Sequence, residues 1–332
     1  MKLFRTFTAL ALTLLCGAGI GIVLQKNTDV SQHAANHLRR FGWYPQSARS
    51  AVRLQDALPQ PVIPQRLQGR LKLYVLVGQS NMVGMAEIPA DVATSANIYT
   101  FGNDYRWAIA KAPVDSSVDQ VDLVSADEMP GFGPALPFAQ TLIAQNNNQI
   151  IGLIPCARNG ASITDWEKSP SDQSLYGSCL KRIRAASPMG TVSGILFFQG
   201  EADAIDPQQF PSLRPDADAW AEKFATFAYN FRSDIGNPRL PLLYAQLGQP
   251  DDLEGLPNWD SVQTQQENIR ISDGAMIVTK DLPMNGIYFT ADSYKVIGQR
   301  FADALATVGT GSENAATSEF PDGESLPAEA TQ

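Results

Sequence analysis

Short apolar runs alternate with longer amphipathic segments through the middle of the chain. The runs are rich in β-branched and aromatic residues, and they lack the polar alternation of a half-exposed strand. They occupy residues 71–77, 149–154, 193–199, 240–246 and 274–279. Runs of this length and composition are typical of parallel strands that are buried on both faces.

Between or after these runs lie segments in which apolar residues recur at helical spacing. They occupy residues 134–145, 174–187, 217–234, 259–272 and 293–308. Strand and helix in alternation predict an α/β fold, specifically a three-layer α/β/α sandwich with a central parallel sheet, as in flavodoxin-like proteins. Functional groups in such a sheet gather at the carboxyl ends of the strands.

The two ends of the chain depart from this pattern. Residues 6–25 carry no charge and follow two basic residues, so they are an uncleaved signal anchor or a cleaved secretory signal. The anchor is favoured because no small-x-small cleavage site ends the run. Residues 26–69, rich in Pro and polar residues, are predicted to be a stalk. Residues 309–332, with five acidic and no basic residues, are predicted to be a disordered tail.

This organisation predicts a folded domain at residues 70–308 on the extracytoplasmic side of a membrane, in the periplasm or outside the cell. The domain is secreted instead if the signal is cleaved. Cys156 and Cys179 would then lie in an oxidising compartment, where they either form a disulfide or remain two buried free thiols.

Composition narrows the class of protein further. The 332 residues are 44% hydrophobic and 18% charged, which allows one large core and excludes fibrous and wholly disordered classes. The formal charge of -9, without a basic cluster, argues against a nucleic-acid partner. The aspartates are scattered and no Gly-rich phosphate or dinucleotide motif is present, so neither metal nor cofactor is predicted.

Two polar motifs follow predicted strands. "GQSNM", residues 78–82, places Ser80 on a strand-to-helix turn, where backbone N–H groups can face an oxyanion. The alternative for Ser80 is an ordinary helix-capping serine. "QGEAD", residues 199–203, places amide and carboxylate side chains at another strand end, where they can contact an oxyanion or orient a base.

Together these motifs resemble the SGNH-type esterases, and in particular the sialate O-acetylesterase-like carbohydrate esterases. Residues 131–142, 151–166 and 285–305 resemble further blocks of that family in the same order. The resemblance implies an SGNH-like domain that removes acetyl groups from sugars, with Ser80 as the nucleophile and acetylated carbohydrate, or another small ester, as the partner. It also implies oxyanion or substrate contacts from Gln79, Asn81, Asn159, Gly160 and Gln199.

The closing block departs from the family. Members have an Asp-x-x-His pattern there, in which the His is the general base and the Asp orients it. This chain has Asn285 and Tyr288 at those positions. Its only histidines, His33 and His37, lie in the predicted stalk. The predicted domain therefore contains no imidazole.

Three replacements for the missing base are open. Glu201 can act as a base if its pKa is raised, although a structural or substrate-binding carboxylate is the favoured role. Tyr288, whose ordinary pKa is near 10, is expected to fill the space of the imidazole and offer one hydrogen bond. A substrate or partner can also bring the base. The protein is therefore either an esterase with an atypical base or an inactive relative that binds glycan or a protein partner.

Tryptophans suggest where a sugar would lie. Trp166 and Trp107 fall in loop-like contexts and are predicted to stack against a sugar face, whereas Trp220 and Trp259 are predicted to pack in helices.

Overall fold

The computed structural model describes residues 63–116, 119–124 and 130–314. The predicted anchor at residues 6–25, most of the stalk and residues 315–332 lie outside this part of the chain. Within it, no helix is both long enough and apolar enough to cross a membrane.

A seven-stranded sheet forms the centre of the domain, in the order β3-β2-β4-β1-β5-β6-β7. Its strands are β1 (Leu71–Gly78), β2 (Ile98–Phe101), β3 (Trp107–Ile109), β4 (Ile151–Pro155), β5 (Gly190–Phe198), β6 (Leu242–Ala245) and β7 (Gly274–Ile277). Every neighbouring pair is parallel except β2 and β3, which are antiparallel at one edge. The strand that precedes Ser80 therefore lies in the middle of the sheet, between β4 and β5.

Helices cover both faces of this sheet. They are α1 (Ser80–Val83), α2 (Ala135–Gln145), α3 (Leu175–Ala186), α4 (Trp220–Ile235), α5 (Trp259–Asn268) and α6 (Ala291–Asn314). On one face, Tyr74 of β1 contacts Phe138 of α2 with ring centroids 4.9 Å apart. On the other, Phe197 of β5 contacts Phe224 of α4 at 4.8 Å. The predicted three-layer α/β/α sandwich is confirmed.

The sequence pattern located five of the seven strands. Strands β2 and β3, of four and three residues, were not predicted, because they do not lie in a longer apolar run as the equally short β6 and β7 do. The boundaries of the domain also differ from the prediction. Ile63 and Leu67 are buried, so the end of the predicted stalk packs on the domain. Helix α6 continues to Asn314, past the predicted end at 308.

A buried ion pair holds the loop between β3 and α2. Arg182 of α3 and Asp122 of this loop have side chains 0% and 3% exposed, and they meet through two guanidinium nitrogens. The third nitrogen of Arg182 donates to the carbonyl of Pro155 at 2.6 Å and to Asn103 at 2.7 Å. Because Pro155 ends β4, the ion pair fixes both the loop and α3 to the carboxyl edge of the sheet.

A disulfide between Cys156 and Cys179 supports the same junction. Their Cα atoms are 5.5 Å apart and both side chains are fully buried. Of the two alternatives left open by the sequence, the structure has the disulfide. Residue 156 directly follows β4, so α3 is joined covalently to the start of the loop that approaches Ser80.

Replacing Arg182 with Met should destabilise the domain by about 3–5 kcal/mol, because Asp122 would remain buried without a cation. Urea unfolding measures this loss. The matched control is Lys181→Met at the preceding position. Lys181 pairs with Asp172, and both of these side chains are about half exposed. The control should cost about 0–1 kcal/mol. Equal losses in the two variants would contradict a special role for the buried pair.

Candidate active site

Ser80 stands on a sharp turn between β1 and α1. Gly78 allows the turn, since its φ is +134° and a Cβ there would lie 2.0 Å from the carbonyl oxygen of Phe198. The N–H of Gln79 donates to that same carbonyl at 2.9 Å, which holds the turn against the end of β5. Ser80 is 1% exposed, and its hydroxyl has no hydrogen-bond partner among the described residues. A buried unpaired hydroxyl is costly, and such groups are often retained for chemistry.

The glycine loop predicted to face Ser80 does lie at this edge. The N–H of Arg158 donates to the carbonyl of Gly78 at 3.1 Å, so the loop that follows β4 runs beside the Ser80 turn. Gly160 is buried and has a φ of +70°, a conformation that favours glycine. Asn159 beside it is half-buried. Ser80, Asn159 and Gly160 are therefore brought to one edge, as the resemblance implies.

Gln79 joins the Ser80 turn to the turn that follows β5. Its side-chain oxygen accepts from the backbone N–H groups of Gly200 at 3.3 Å and Ala202 at 3.1 Å. Gln79 is buried, and this oxygen is used inside the protein. The structure thus gives Gln79 a part in holding the site together, in place of the substrate contact expected from sequence.

Gln199 also has its polar atoms occupied. Its amide nitrogen donates to the carbonyl of Ala161 at 3.1 Å and to Asp203, and its oxygen accepts from Trp220 Nε1 at 2.8 Å. A carboxamide has only two N–H groups, and both have internal acceptors. The prediction that Gln199 donates to an oxyanion is therefore wrong for this geometry. Its side chain instead fixes the loop at residue 161 to α4.

The buried carboxamide of Asn81 connects four parts of the domain. Its nitrogen donates to one carboxylate oxygen of Glu201 and to the carbonyl of Ile287 at 3.0 Å. Its oxygen accepts from the hydroxyl of Tyr294, on α6, at 2.5 Å. Asn81 is 0% exposed, and its side-chain hydrogen-bonding groups are used internally. The expected substrate contact is thus replaced by a connection from Ser80 to the rest of the site. Tyr294 was not predicted, because an aromatic residue in an amphipathic helix is usually a core residue.

Glu201 has one satisfied and one unsatisfied carboxylate oxygen. It is 1% exposed, one oxygen accepts from Asn81, and Oε2 has no partner in the described part of the chain. Burial raises the pKa of Glu201 to about 7, against the hydrogen bond from Asn81, which lowers it. Glu201 therefore carries the kind of perturbed carboxyl group that the sequence could not distinguish from a structural one.

Asp203 is used structurally instead. Its Oδ2 accepts from the backbone N–H of Ile163, and its Oδ1 from that of Asp216, both at 2.8 Å. Burial raises the pKa of Asp203 to about 6. Asp165 accepts from the N–H of Ser162 in a capping box at the start of a short 3-10 helix. Across residues 63–116, 119–124 and 130–314, no group of three or more His, Cys, Asp and Glu side chains is placed to hold a metal ion.

The closing block forms a small hairpin of β8 (Met284–Asn285) and β9 (Tyr288–Phe289). Gly286 takes a φ of +62° at the first position of the two-residue turn, which suits a tight hairpin. Asn285 and Tyr288 are paired directly across it, the first exposed and the second half-buried. Burial raises the pKa of Tyr294 well above its ordinary value, with further contributions from Glu201 and Tyr288. The hairpin thus places a phenol and a carboxamide at the site, but no imidazole or carboxylate.

The tryptophans differ in how their positions compare with the predictions. Trp166 is 0% exposed and packs against Phe227 at 5.9 Å, so the prediction that it stacks against a sugar is wrong. Trp107 is half-buried on β3, where it packs against Phe101 and lies over Gly152, near the start of β4. The backbone of Trp107 pairs with Phe101, the last residue of β2, so its predicted contact with a sugar stays a prediction. Trp220 and Trp259 are buried in helices, as predicted.

Ser80 thus lies on the turn after the central strand of the sheet, beside a glycine loop that follows the neighbouring strand β4. Residues 70–307 match the family described as carbohydrate esterase, sialic acid-specific acetylesterase, and the chain belongs to that family.

Individual relatives share little sequence identity with this chain, but their matches cover most of it. A probable carbohydrate esterase of Arabidopsis thaliana is 24% identical over 253 residues, which cover 70% of this chain and 89% of that protein. The X-ray structure of that plant protein has a TM-score of 0.60 and covers 71% of this chain and 98% of its own. NanS has a TM-score of 0.55 at 16% identity, with 74% and 99% covered. A carbohydrate acetylesterase from Xanthomonas citri has a TM-score of 0.53 at 20% identity, with 72% and 57% covered. At these identities, the solved structures show the shared fold.

Replacing Asn81 with Ala should lower the free energy of unfolding by about 2–4 kcal/mol, because buried groups on Glu201, Ile287 and Tyr294 would lose their partner. Denaturant unfolding measures the change. Asn285→Ala is the control, since Asn285 is exposed and should tolerate the change within about 0.5 kcal/mol. A loss below about 1 kcal/mol in Asn81→Ala, no more than one ordinary hydrogen bond contributes, would show that these hydrogen bonds add little to stability.

The raised pKa of Glu201 also predicts how stability depends on pH. An acid whose pKa is higher in the folded state binds more protons there, so stability falls as pH rises between the unfolded and folded values. For Glu201 that window runs from 4.5 to about 7. The free energy of unfolding should therefore decline across this window, and Glu201→Gln should make the decline shallower. Urea titrations at a series of pH values measure both slopes, and identical slopes would contradict the shift.

Proposed function

We propose that the protein hydrolyses acetyl esters of carbohydrates, with Ser80 as the nucleophile. The observation that carries this proposal is the buried, unpaired hydroxyl of Ser80 on a turn at the carboxyl edge of the sheet. Membership of the carbohydrate esterase family supports the substrate class. The nearby loop at Gly160 supports an acyl-transfer site, because such reactions need backbone N–H donors where negative charge develops.

In this reaction the Ser80 oxygen attacks the ester carbonyl and forms a tetrahedral oxyanion. In this proposal the N–H groups of Ser80 and Gly160 donate to that oxyanion, since the side-chain amide of Gln199 is occupied. Collapse of the intermediate releases the sugar hydroxyl and leaves an acetyl group on Ser80, which water then removes as acetate. The Ser80 proton needs an acceptor at each stage, and the hairpin residues Asn285 and Tyr288 do not supply a conventional one.

The lack of an aspartate and a histidine in the hairpin favours a second candidate function. In it, the same edge of the sheet binds an acetylated glycan or a protein partner without turnover. Loss of the histidine from a serine triad typically lowers turnover by about a million-fold. A binding site would retain the polar edge but would not need Ser80 as a nucleophile.

We also propose that the domain works outside the cytoplasm, in the periplasm or extracellular space. The Cys156–Cys179 disulfide supports this location, because such bonds persist mainly in oxidising compartments. The uncharged segment at residues 6–25 is consistent with export or anchoring.

The first test is ester hydrolysis by the full chain, with an activated acetyl ester and with O-acetylated sugars as substrates. The natural protein should hydrolyse ester slowly, and Ser80→Ala should reduce the rate to that of buffer. The matched control is Ser178→Ala, another buried serine whose hydroxyl has no partner among the described residues, on α3 instead of the Ser80 turn. Hydrolysis that persists in Ser80→Ala would rule out Ser80 as the nucleophile.

The double change Asn285→Asp with Tyr288→His separates the two candidate functions. Restoring an oriented imidazole should raise kcat/KM by about 10²–10⁴-fold, the usual contribution of general acid–base catalysis. If the natural protein is inert and only this variant is active, the binding candidate is correct for the natural chain. Glycan affinity in Ser80→Ala should then equal that of the natural protein.

A further inference from the structure

We propose that Glu201 is the general base of this site and receives the Ser80 proton through one intervening water molecule. This inference rests on the proposed esterase function, because it assigns a role within that reaction.

The carboxylates at this edge differ in whether an oxygen is left without a hydrogen-bond partner. Both oxygens of Asp203 accept backbone or amide N–H groups, and Asp165 is held by its capping box and by Arg214. In the turn after β5, only Glu201 keeps a buried oxygen without a partner. Since no histidine occurs among the residues the structure describes, Glu201 is the carboxylate available as a proton acceptor.

Glu201 is held in place by both neighbours of Ser80. On one side, the Gln79 side chain accepts from the N–H groups of Gly200 and Ala202, which flank Glu201 in the chain. On the other, the Asn81 side chain donates to Glu201 Oε1. The Ser80 hydroxyl and Glu201 Oε2 are the two atoms of this assembly left unpaired. They make no direct hydrogen bond, and a water molecule between them would satisfy both.

The charges around Glu201 suit this role. Asp203 on the same turn raises its pKa further after burial, which brings the value to about 7. Tyr294 faces it from α6, Tyr288 on the hairpin faces Tyr294, and Asn81 is the contact from α1. None of these groups is a cation, so none holds the carboxylate charged at low pH. A base with a pKa near the working pH is deprotonated in a large fraction of the molecules and still binds a proton well.

The proton movements balance without another reactant. As Ser80 Oγ bonds to the carbonyl carbon, its proton passes through the water to Glu201 Oε2. Glu201 then returns that proton to the departing sugar oxygen as the ester C–O bond breaks. In the second half, Glu201 accepts a proton from the attacking water. It returns this proton to Ser80 as the acyl bond breaks, and acetic acid leaves and ionises in solution.

Glu201→Gln tests this role because it keeps one of the two side-chain oxygens and replaces the other. The Gln oxygen can still accept from Asn81, while the amide group replaces the unpaired Oε2, so positioning is kept and the base is lost. We expect kcat to fall at least about 100-fold with KM little changed, and the unfolding transition to remain cooperative. In the natural protein, kcat/KM should rise through a single ionisation near pH 7, close to the value for Glu201.

The same change in the Asn285→Asp, Tyr288→His background provides the control. There the introduced histidine takes the proton, so Glu201→Gln should lower the activity of that background far less than it lowers that of the natural chain. Loss of activity in the natural chain only would support Glu201 as the base. Equal loss in both backgrounds would instead assign Glu201 a positioning role, and full activity of Glu201→Gln in the natural chain would also overturn the proposal.

These results remain distinguishable from failure of the proposed function. If the natural chain is no more active than Ser80→Ala, the esterase function itself fails, and the role of Glu201 fails with it. If the natural chain is active, Ser80→Ala is inert and Glu201→Gln is active, only the inference about Glu201 fails.

Discussion

The structure depends on one buried carboxamide, that of Asn81. A buried amide is tolerated only when its donors and acceptor are paired, and here the partners come from Glu201, Ile287 and Tyr294. These residues lie on the turn after β5, the closing hairpin and α6, so one side chain sets the distance from Ser80 to each of them. The hairpin contributes a backbone carbonyl to this connection. Its geometry is thus independent of which side chains occupy residues 285 and 288.

The parts that hold the serine, Glu201 among them, are therefore separate from the hairpin residues Asn285 and Tyr288. Gln79 and Gln199 bind neighbouring turns, and the disulfide and Arg182 secure the end of β4, from which the glycine loop departs. All of these contacts are buried and rigid. Asn285 and Tyr288, by contrast, lie on a two-stranded hairpin, the first exposed and the second half-buried. The buried contacts just named, which hold the Ser80 turn and the end of β4, come from other residues.

The sequence predicted the layers of the fold and the edge that carries the site, because long buried strands, amphipathic helices and the motif around Ser80 are local patterns. It did not predict the roles of the amide side chains. Whether Gln199 donates to a ligand or to Asp203 depends on distances between segments that are far apart in the chain. For the same reason, the loop-like context of Trp166 did not reveal its burial, and Glu201 could not be told from a structural carboxylate until its free oxygen was located. Short strands such as β3 were missed because three residues do not define a period.

The hairpin also has a consequence for substitutions at residues 285 and 288. Asn285 and Tyr288 form one cross-strand pair at the surface of a two-residue turn, and the core beneath them is anchored through main-chain atoms. The carbonyl of Ile287 that holds the hairpin to Asn81 is present whichever side chain follows it in the chain. A substitution at residue 285 or 288 therefore leaves this main-chain anchor in place.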